Sequence, residues 1–266
     1  MLLAYKLTSI RRCYKLRLQV ENQTDVQAGA NMDLYVRNLK LGEIPLIAGV
    51  LTDRDVFTVK NDSLDSVDIV ELRVDMFDKL SHGHIKKIFE TVRDKIKKPV
   101  IATIRDVREG GQRQIEDRLS LYKIVTPLSD LVDIEIISED ILTEIKKVCT
   151  AYKKLLIASY HNFESTPDDK FLKDIAAKGK RLGADIVKIA ATANDREDLI
   201  RLMTFTLRHR DKGLITMSMG DKGLPSRILS PLLGSLITYG YITTPSAPGQ
   251  LSATELMNIF RRLKIR

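Results

Sequence analysis

Cysteine is almost absent: Cys13 and Cys149 are the only two in 266 residues. They lie far apart and belong to no CxxC or Cys/His pattern, which argues against a disulfide framework or a zinc site and fits a reducing compartment. Aromatic residues make up only 6% of the chain. No basic run is interleaved with them, so a stacking platform for nucleic-acid bases is missing. The four histidines, His82, His84, His161 and His209, form no ligand constellation. No stretch approaches the ~20 uncharged apolar residues of a membrane span. What is present is 44% hydrophobic composition, enough for one large core, and a formal net charge of +8 at pH 7. Such a balance suits nucleic acid, a membrane surface or small anionic substrates.

The first 31 residues differ from the rest. Lys6, Arg11, Arg12, Lys15 and Arg17 all precede the first acidic residue, Glu21. Transit peptides share that bias, but serine is sparse here, and an apolar segment with a small-residue cleavage site is lacking. Residues 1–31 therefore read as an extension outside the core, with Met32 as the functional start. Residues 32–266 read as one catalytic domain.

That domain opens with a short hairpin carrying a turn signal at Gly42. Apolar runs then alternate with segments of helical period. Strands are predicted at 45–52, 67–75, 98–105, 131–136, 155–161, 184–190, 213–219 and 235–242. Helices are predicted at 81–96 with Ser81 as cap, about 113–125, 138–153 capped by Ser138, 165–183 with a serine or threonine cap, 194–210, 223–234 and 252–263. The connection 53–67 has little helical period, so the first unit looks shortened. Eight βα units in roughly 220 residues predict an α/β fold, a (β/α)8 TIM barrel preceded by the hairpin. An open doubly wound sheet is the alternative, weakened because no GxGxxG follows the first strand.

The stretch GADIVKIAA, Gly183 to Ala191, is organised as a strand buried on both faces. Ile186, Lys188 and Ala190 share one face, which directs an amine into the barrel. Burial disfavours a charged lysine and makes the amine a usable nucleophile toward a ketone. Other polar residues also fall at predicted strand ends, where barrel enzymes place their chemistry. Glu71 and Arg73 share a face, as do Asp133 and Glu135. Thr103 and Arg105 end the third strand, with Glu109 in the loop beyond. Ser159 and His161 end the fifth. Arg227 follows the seventh strand, and Ser246 and Gln250 follow the eighth. This set suits a pocket for a small anion with acid–base chemistry.

In their order, ELRVD, TIRDVREGG, ASYHNF, GADIVKIA, MSMGDKGLPSR and SAPGQLS resemble the successive motifs of type I 3-dehydroquinate dehydratase. The resemblance runs from about Asp33 to the C-terminus. It implies a (β/α)8 barrel, a cytoplasmic homodimer, no metal and no dissociable cofactor. It also implies loss of water from 3-dehydroquinate through a lysine imine, the third step of the shikimate pathway to chorismate and the aromatic amino acids. By resemblance, Lys188 forms the imine, His161 is the general base and Glu109 orients it. Arg227 and Arg105 meet the substrate carboxylate. Glu71, Arg73, Ser246 and Gln250 bind the rest of the substrate, with Asp133 and Glu135 as supports behind them. Neither nucleic acid nor a membrane is an expected partner. Two competing readings are an aldolase-like Schiff-base barrel, which needs a phosphate site near the last two strands, and a nucleic-acid binder prompted by the charge.

Overall fold

Runs of branched apolar residues bounded by turns become strands that can be buried on both faces only if helices cover them. A computed structural model describes residues 33–245 and 250–266. The extension read at residues 1–31 and the candidate Ser246 lie outside the described residues. Eight strands form one parallel sheet: β3 (Leu46–Leu51), β4 (Ile69–Arg73), β5 (Val100–Thr103), β6 (Leu131–Glu135), β7 (Leu155–Asn162), β8 (Ile186–Thr192), β9 (Leu214–Met219) and β10 (Ile237–Tyr241). Their order is β10-β3-β4-β5-β6-β7-β8-β9. β9 and β10 meet across the remaining seam, where the Leu236 N–H donates to the Leu214 carbonyl at 2.8 Å and Ser235 Oγ accepts from the Thr216 N–H at 2.9 Å. The sheet is thus a nearly closed (β/α)8 barrel.

Helices follow the strands. The first connection holds two single turns, α1 (Asp55–Thr58) and α2 (Asn61–Leu64), in agreement with the shortened first unit. The rest are α3 (His82–Thr91), α4 (Arg118–Val125), α5 (Glu139–Tyr152), α6 (Asp169–Arg181), α7 (Arg196–Arg208), α8 (Ser226–Leu232) and α9 (Ala253–Arg262). Among the described residues no helix is long and apolar enough to cross a membrane.

Period-2 alternation splits the apolar residues into two cores. Val70, Leu72, Ala102, Val132, Ile134, Leu156, Val187 and Ile189 face the helices, where they meet Ile88, Phe89, Ile145 and Phe205. The other face fills the barrel. Ile69, Ile101, Leu131, Ile157, Ile186, Ile215 and Ile237 form an apolar plug near the strand starts. Each such side chain, fully buried, contributes about 1.5–3 kcal/mol relative to exposure. Two residues further along each strand the chain reaches Glu71, Thr103, Asp133, Ser159, Lys188, Met217 and Tyr239. The polar layer therefore rests on a dry floor.

The hairpin seals that end of the barrel. β1 (Tyr35–Val36) pairs antiparallel with β2 (Leu39–Lys40), and Val36 and Leu41 join the inner core. The turn joining β1 to β2 is at Arg37–Asn38, and Gly42, at φ 84°, makes a second turn just after β2. Arg37 adopts φ 54°, with its guanidinium held by Asp130 at 3.0 and 2.9 Å and by the Lys97 carbonyl at 3.2 Å.

Two helix starts differ from expectation, those of α4 and α6, while Ser81 and Ser138 stand at the starts expected for α3 and α5. α4 begins at Arg118 instead of about 113. The Asp117 side chain caps it, accepting from the Ser120 N–H at 3.0 Å, while the preceding segment is held down by Gln112 N–H donating to Asp75. α6 is capped by Asp168, which accepts from the Phe171 N–H. Thr166 donates its hydroxyl to the Thr192 carbonyl at the end of β8. Ser138 and Ser81 hold the cap positions of α5 and α3 without a side-chain cap bond. Gly179 lets α6 lie close on β8, because a Cβ there would come within 2.7 Å of Val187 Cγ2. The strand that carries Lys188 is thereby clamped from outside.

Candidate active site

Lys188 sits in mid-strand on the inner face of β8 and is 4% exposed. Its Nζ donates to Asp133 Oδ2 at 2.9 Å and lies 3.9 Å from Glu71 Oε1. The face of the Tyr239 ring covers it, with the centroid 4.2 Å away. Glu71 is fixed by Thr103, whose hydroxyl donates to Oε1 at 2.7 Å.

Asp133 is shared. Its Oδ1 accepts from Arg105 Nη2 at 3.0 Å and from Ser159 Oγ at 2.6 Å. Arg105 Nη1 also donates to Glu135 at 2.9 Å and to Ser159 at 2.7 Å. Glu135 in turn pairs with Arg118, which reaches Asp106, Ser138 and the Ile104 carbonyl as well. Burial alone would raise the Asp133 carboxyl, but Arg105 and Lys188 hold it below its ordinary value. Burial works against charge on Arg105 too, and Asp133, Glu135 and Glu71 outweigh it. Arg105 spends these donors on the protein, where they brace the buried network, and it also lines the cavity.

His161 ends the inward run of β7. Its Nδ1 lies 2.9 Å from Glu109 Oε2, and the same oxygen accepts the His161 backbone N–H at 2.9 Å. An oxygen already serving as acceptor favours Nδ1–H as the donor, which leaves the Nε2 lone pair for the cavity. Burial, then Arg105 and Lys188, lower the imidazole well below its ordinary value. Burial also pushes Glu109 up to about 8, against the pull of Arg105. Glu109 is held by its loop: Gly110 takes φ 89°, and a Cβ there would strike the Phe163 ring at 2.7 Å. That ring stacks 17° from parallel with His161.

Arg227, at the start of α8, is buried and donates to the Tyr239 carbonyl at 3.2 Å. Burial pushes it down to about 10. Arg73 does not pair with Glu71; it grips Asp75 with two bonds, at 2.9 and 2.8 Å. Asp75 also accepts the Arg105 and Gln112 backbone N–H groups.

These side chains line one cavity of about 150 Å³. Glu71, Arg73, Arg105, Glu109, His161, Lys188, Arg227 and Gln250 all contribute to it, with Val50, Ala190, Met217, Met219 and Tyr239 as the apolar wall. Eight of the nine candidates are thus brought together, and Ser246 is outside the described residues. Sequence reasoning missed Arg118, Asp75 and Tyr239. Tyr239 and Met217 were findable, since each stands two residues beyond a plug isoleucine. Asp75 was findable as well, since it continues the 71/73 alternation of the predicted strand 67–75, whereas Arg118 gave no such signal because it opens a helix. Among the described residues no group of three or more His, Cys, Asp or Glu side chains could hold a metal ion. The arrangement provides a buried amine, a neutral imidazole and a buried guanidinium around a space for a small ring.

The family model described as type I 3-dehydroquinase matches residues 50–266. The 3-dehydroquinate dehydratase of Thermodesulfovibrio yellowstonii is 41% identical over 226 residues, covering 85% of this chain and 99% of that protein. The crystal structure of the Aquifex aeolicus 3-dehydroquinate dehydratase superposes with a TM-score of 0.73 at 36% identity, covering 82% of this chain and 98% of the other. The type I enzyme of Clostridium difficile, solved with covalently modified comenic acid, has a TM-score of 0.77 at 27% identity, with 86% and 98% covered.

Proposed function

The chain belongs to the type I 3-dehydroquinase family and is a carbon–oxygen lyase, and on that footing we propose that it dehydrates 3-dehydroquinate through an imine on Lys188. The carrying observation is a buried Nζ, at 2.9 Å from Asp133, in the same cavity as His161 and Arg227. Nζ, its proton passed to a neighbouring base, attacks the ketone carbon, and the ketone oxygen leaves as water. The protonated imine is an electron sink beside the carbon that must lose a proton. His161 Nε2 takes that proton, and the electron pair forms an enamine. The enamine expels the β-hydroxyl, to which His161 returns its proton, so that water leaves. Hydrolysis of the imine then releases the conjugated enone and frees Lys188.

Arg227 supports this reading as the carboxylate clamp, since a buried guanidinium offers a planar fork to a carboxylate. Glu71, Arg73 and Gln250 are proposed to hold the ring hydroxyls, with Ser246 assigned by resemblance alone. A covalently modified ligand in the Clostridium difficile relative supports covalent chemistry. The pathway position, the homodimer and the cytoplasmic location are proposed from the family resemblance, the dimer to be tested by light scattering on the purified chain. The activity itself is tested by ultraviolet absorbance of the enone after adding 3-dehydroquinate. Turnover of sugar phosphates in its place would favour an aldolase.

A further inference from the structure

Two tyrosines are buried near the site, and they differ in one respect. Tyr122 Oη is saturated: it accepts from the Ile104 N–H at 3.1 Å and donates to the Asp133 carbonyl at 2.8 Å. Tyr239 is 3% exposed, and its Oη has no hydrogen-bond partner among the described residues. A buried hydroxyl left unpaired costs stability that a phenylalanine of the same shape would not. Yet this hydroxyl belongs to a ring lining the cavity that holds Lys188 and Arg227. Burial, with Glu71 and Asp133 nearby, raises the phenol well above its ordinary value, so it remains a donor across the working range. The ring face, meanwhile, covers Lys188 Nζ at 4.2 Å from the centroid. A cation is attracted to the face of an aromatic ring, and more so where water is excluded.

We propose that Tyr239 serves the dehydration twice: its ring face supports the positive charge that Nζ carries as ammonium and again as iminium, and its hydroxyl hydrogen-bonds an oxygen of the bound substrate. With Nζ over the ring, the phenol oxygen lies to one side of the amine. The Tyr239 carbonyl accepts from Arg227, so the residue links the imine end of the site to the carboxylate clamp. The ring's part in this rests on the imine at Lys188; the hydroxyl's part does not.

The test compares Tyr239→Phe, which keeps the ring, with Tyr239→Leu and Tyr239→Met, two apolar replacements used together so that one misfolded variant does not decide the outcome. Tyr239→Phe should raise KM about 3- to 10-fold, the effect of one neutral hydrogen bond. Its kcat should stay within about twofold, and its urea midpoint should be equal to or above that of the unaltered chain. The ring-less variants should lose a further ~3- to 30-fold in kcat and accumulate borohydride-trapped adduct more slowly. Unchanged KM in Tyr239→Phe overturns the hydroxyl contact. Ring-less variants with the kcat and trapping rate of Tyr239→Phe overturn the charge support. Absence of trapping in the unaltered chain would instead refute the imine at Lys188, a separate result.

Discussion

Lys188 and Arg105 share one carboxylate: Asp133 Oδ2 accepts from the amine at 2.9 Å while Oδ1 accepts from the guanidinium at 3.0 Å. One anion thus positions the proposed nucleophile and ties it to a buried network running through Glu135 to Arg118. The network is buried, so each charge depends on its partners.

Replacing Asp133 with asparagine leaves two cations short of an anion in a dry interior. The expected cost is about 3–5 kcal/mol, as for breaking other buried pairs. Urea unfolding at pH 7 measures it. Loss of under about 1 kcal/mol, the range of exposed pairs, would show that solvent reaches the network.

His161, held below its ordinary value by burial and two neighbouring cations, stays neutral through the pH at which an exposed histidine titrates. As general base it should remain competent there. The acid limb of kcat/KM should have its midpoint below 6.5, the ordinary value for histidine. A midpoint at or above it contradicts the assigned environment. Changing His161→Ala should lower kcat about 10²- to 10⁴-fold.

Glu109 carries a pH-dependent stability cost. Its carboxyl moves from 4.5 to about 8 on folding, so between those values the folded chain holds a proton that the unfolded chain has released. Its contribution is full below 4.5, declines as pH rises, and is gone above about 8. Glutamine keeps the shape and never ionises. Glu109→Gln should therefore gain more stability over the unaltered chain at pH 9 than at pH 5. The gain should appear as about 2–4 °C in Tm per kcal/mol recovered. Its kcat should fall most above about pH 8, where the ionised carboxylate, unlike an amide, also steadies the imidazolium formed when His161 takes the proton. Equal stability differences at both pH values would contradict the burial of this group.

Arg227→Lys should not restore what Arg227→Ala removes. A lysine gives charge without the planar fork, so both variants should raise KM about 10- to 100-fold, the scale of a charged hydrogen bond. Steady-state kinetics decide this. A lysine variant with unchanged KM would remove Arg227 from the carboxylate.

The barrel was legible because two periods repeat along the chain. Branched runs such as Val100–Thr103 and Ile186–Thr192 could only be buried strands, and amphipathic segments between them could only be covering helices. The inward set was legible for the same reason: Lys188 stands two residues past Ile186, as Asp133 stands past Leu131. Helix starts were less so. Ser138, Thr166 and Ser81 have the side chains of caps, but Ser138 and Thr166 hydrogen-bond elsewhere, to Arg118 and Thr192, bonds that no local pattern reveals. The partners of Arg105 were hidden for a related reason. Its charge is visible in the sequence, whereas its engagement by Asp133, Glu135 and Ser159 depends on three separate strands closing around it.

The most direct measurement is mass spectrometry of the chain after borohydride reduction in the presence of 3-dehydroquinate. The expected result is one stable adduct on the peptide containing Lys188, absent in Lys188→Ala, which should also lose dehydration while keeping its fold. An adduct on another lysine, or normal turnover by Lys188→Ala, would contradict the central claim.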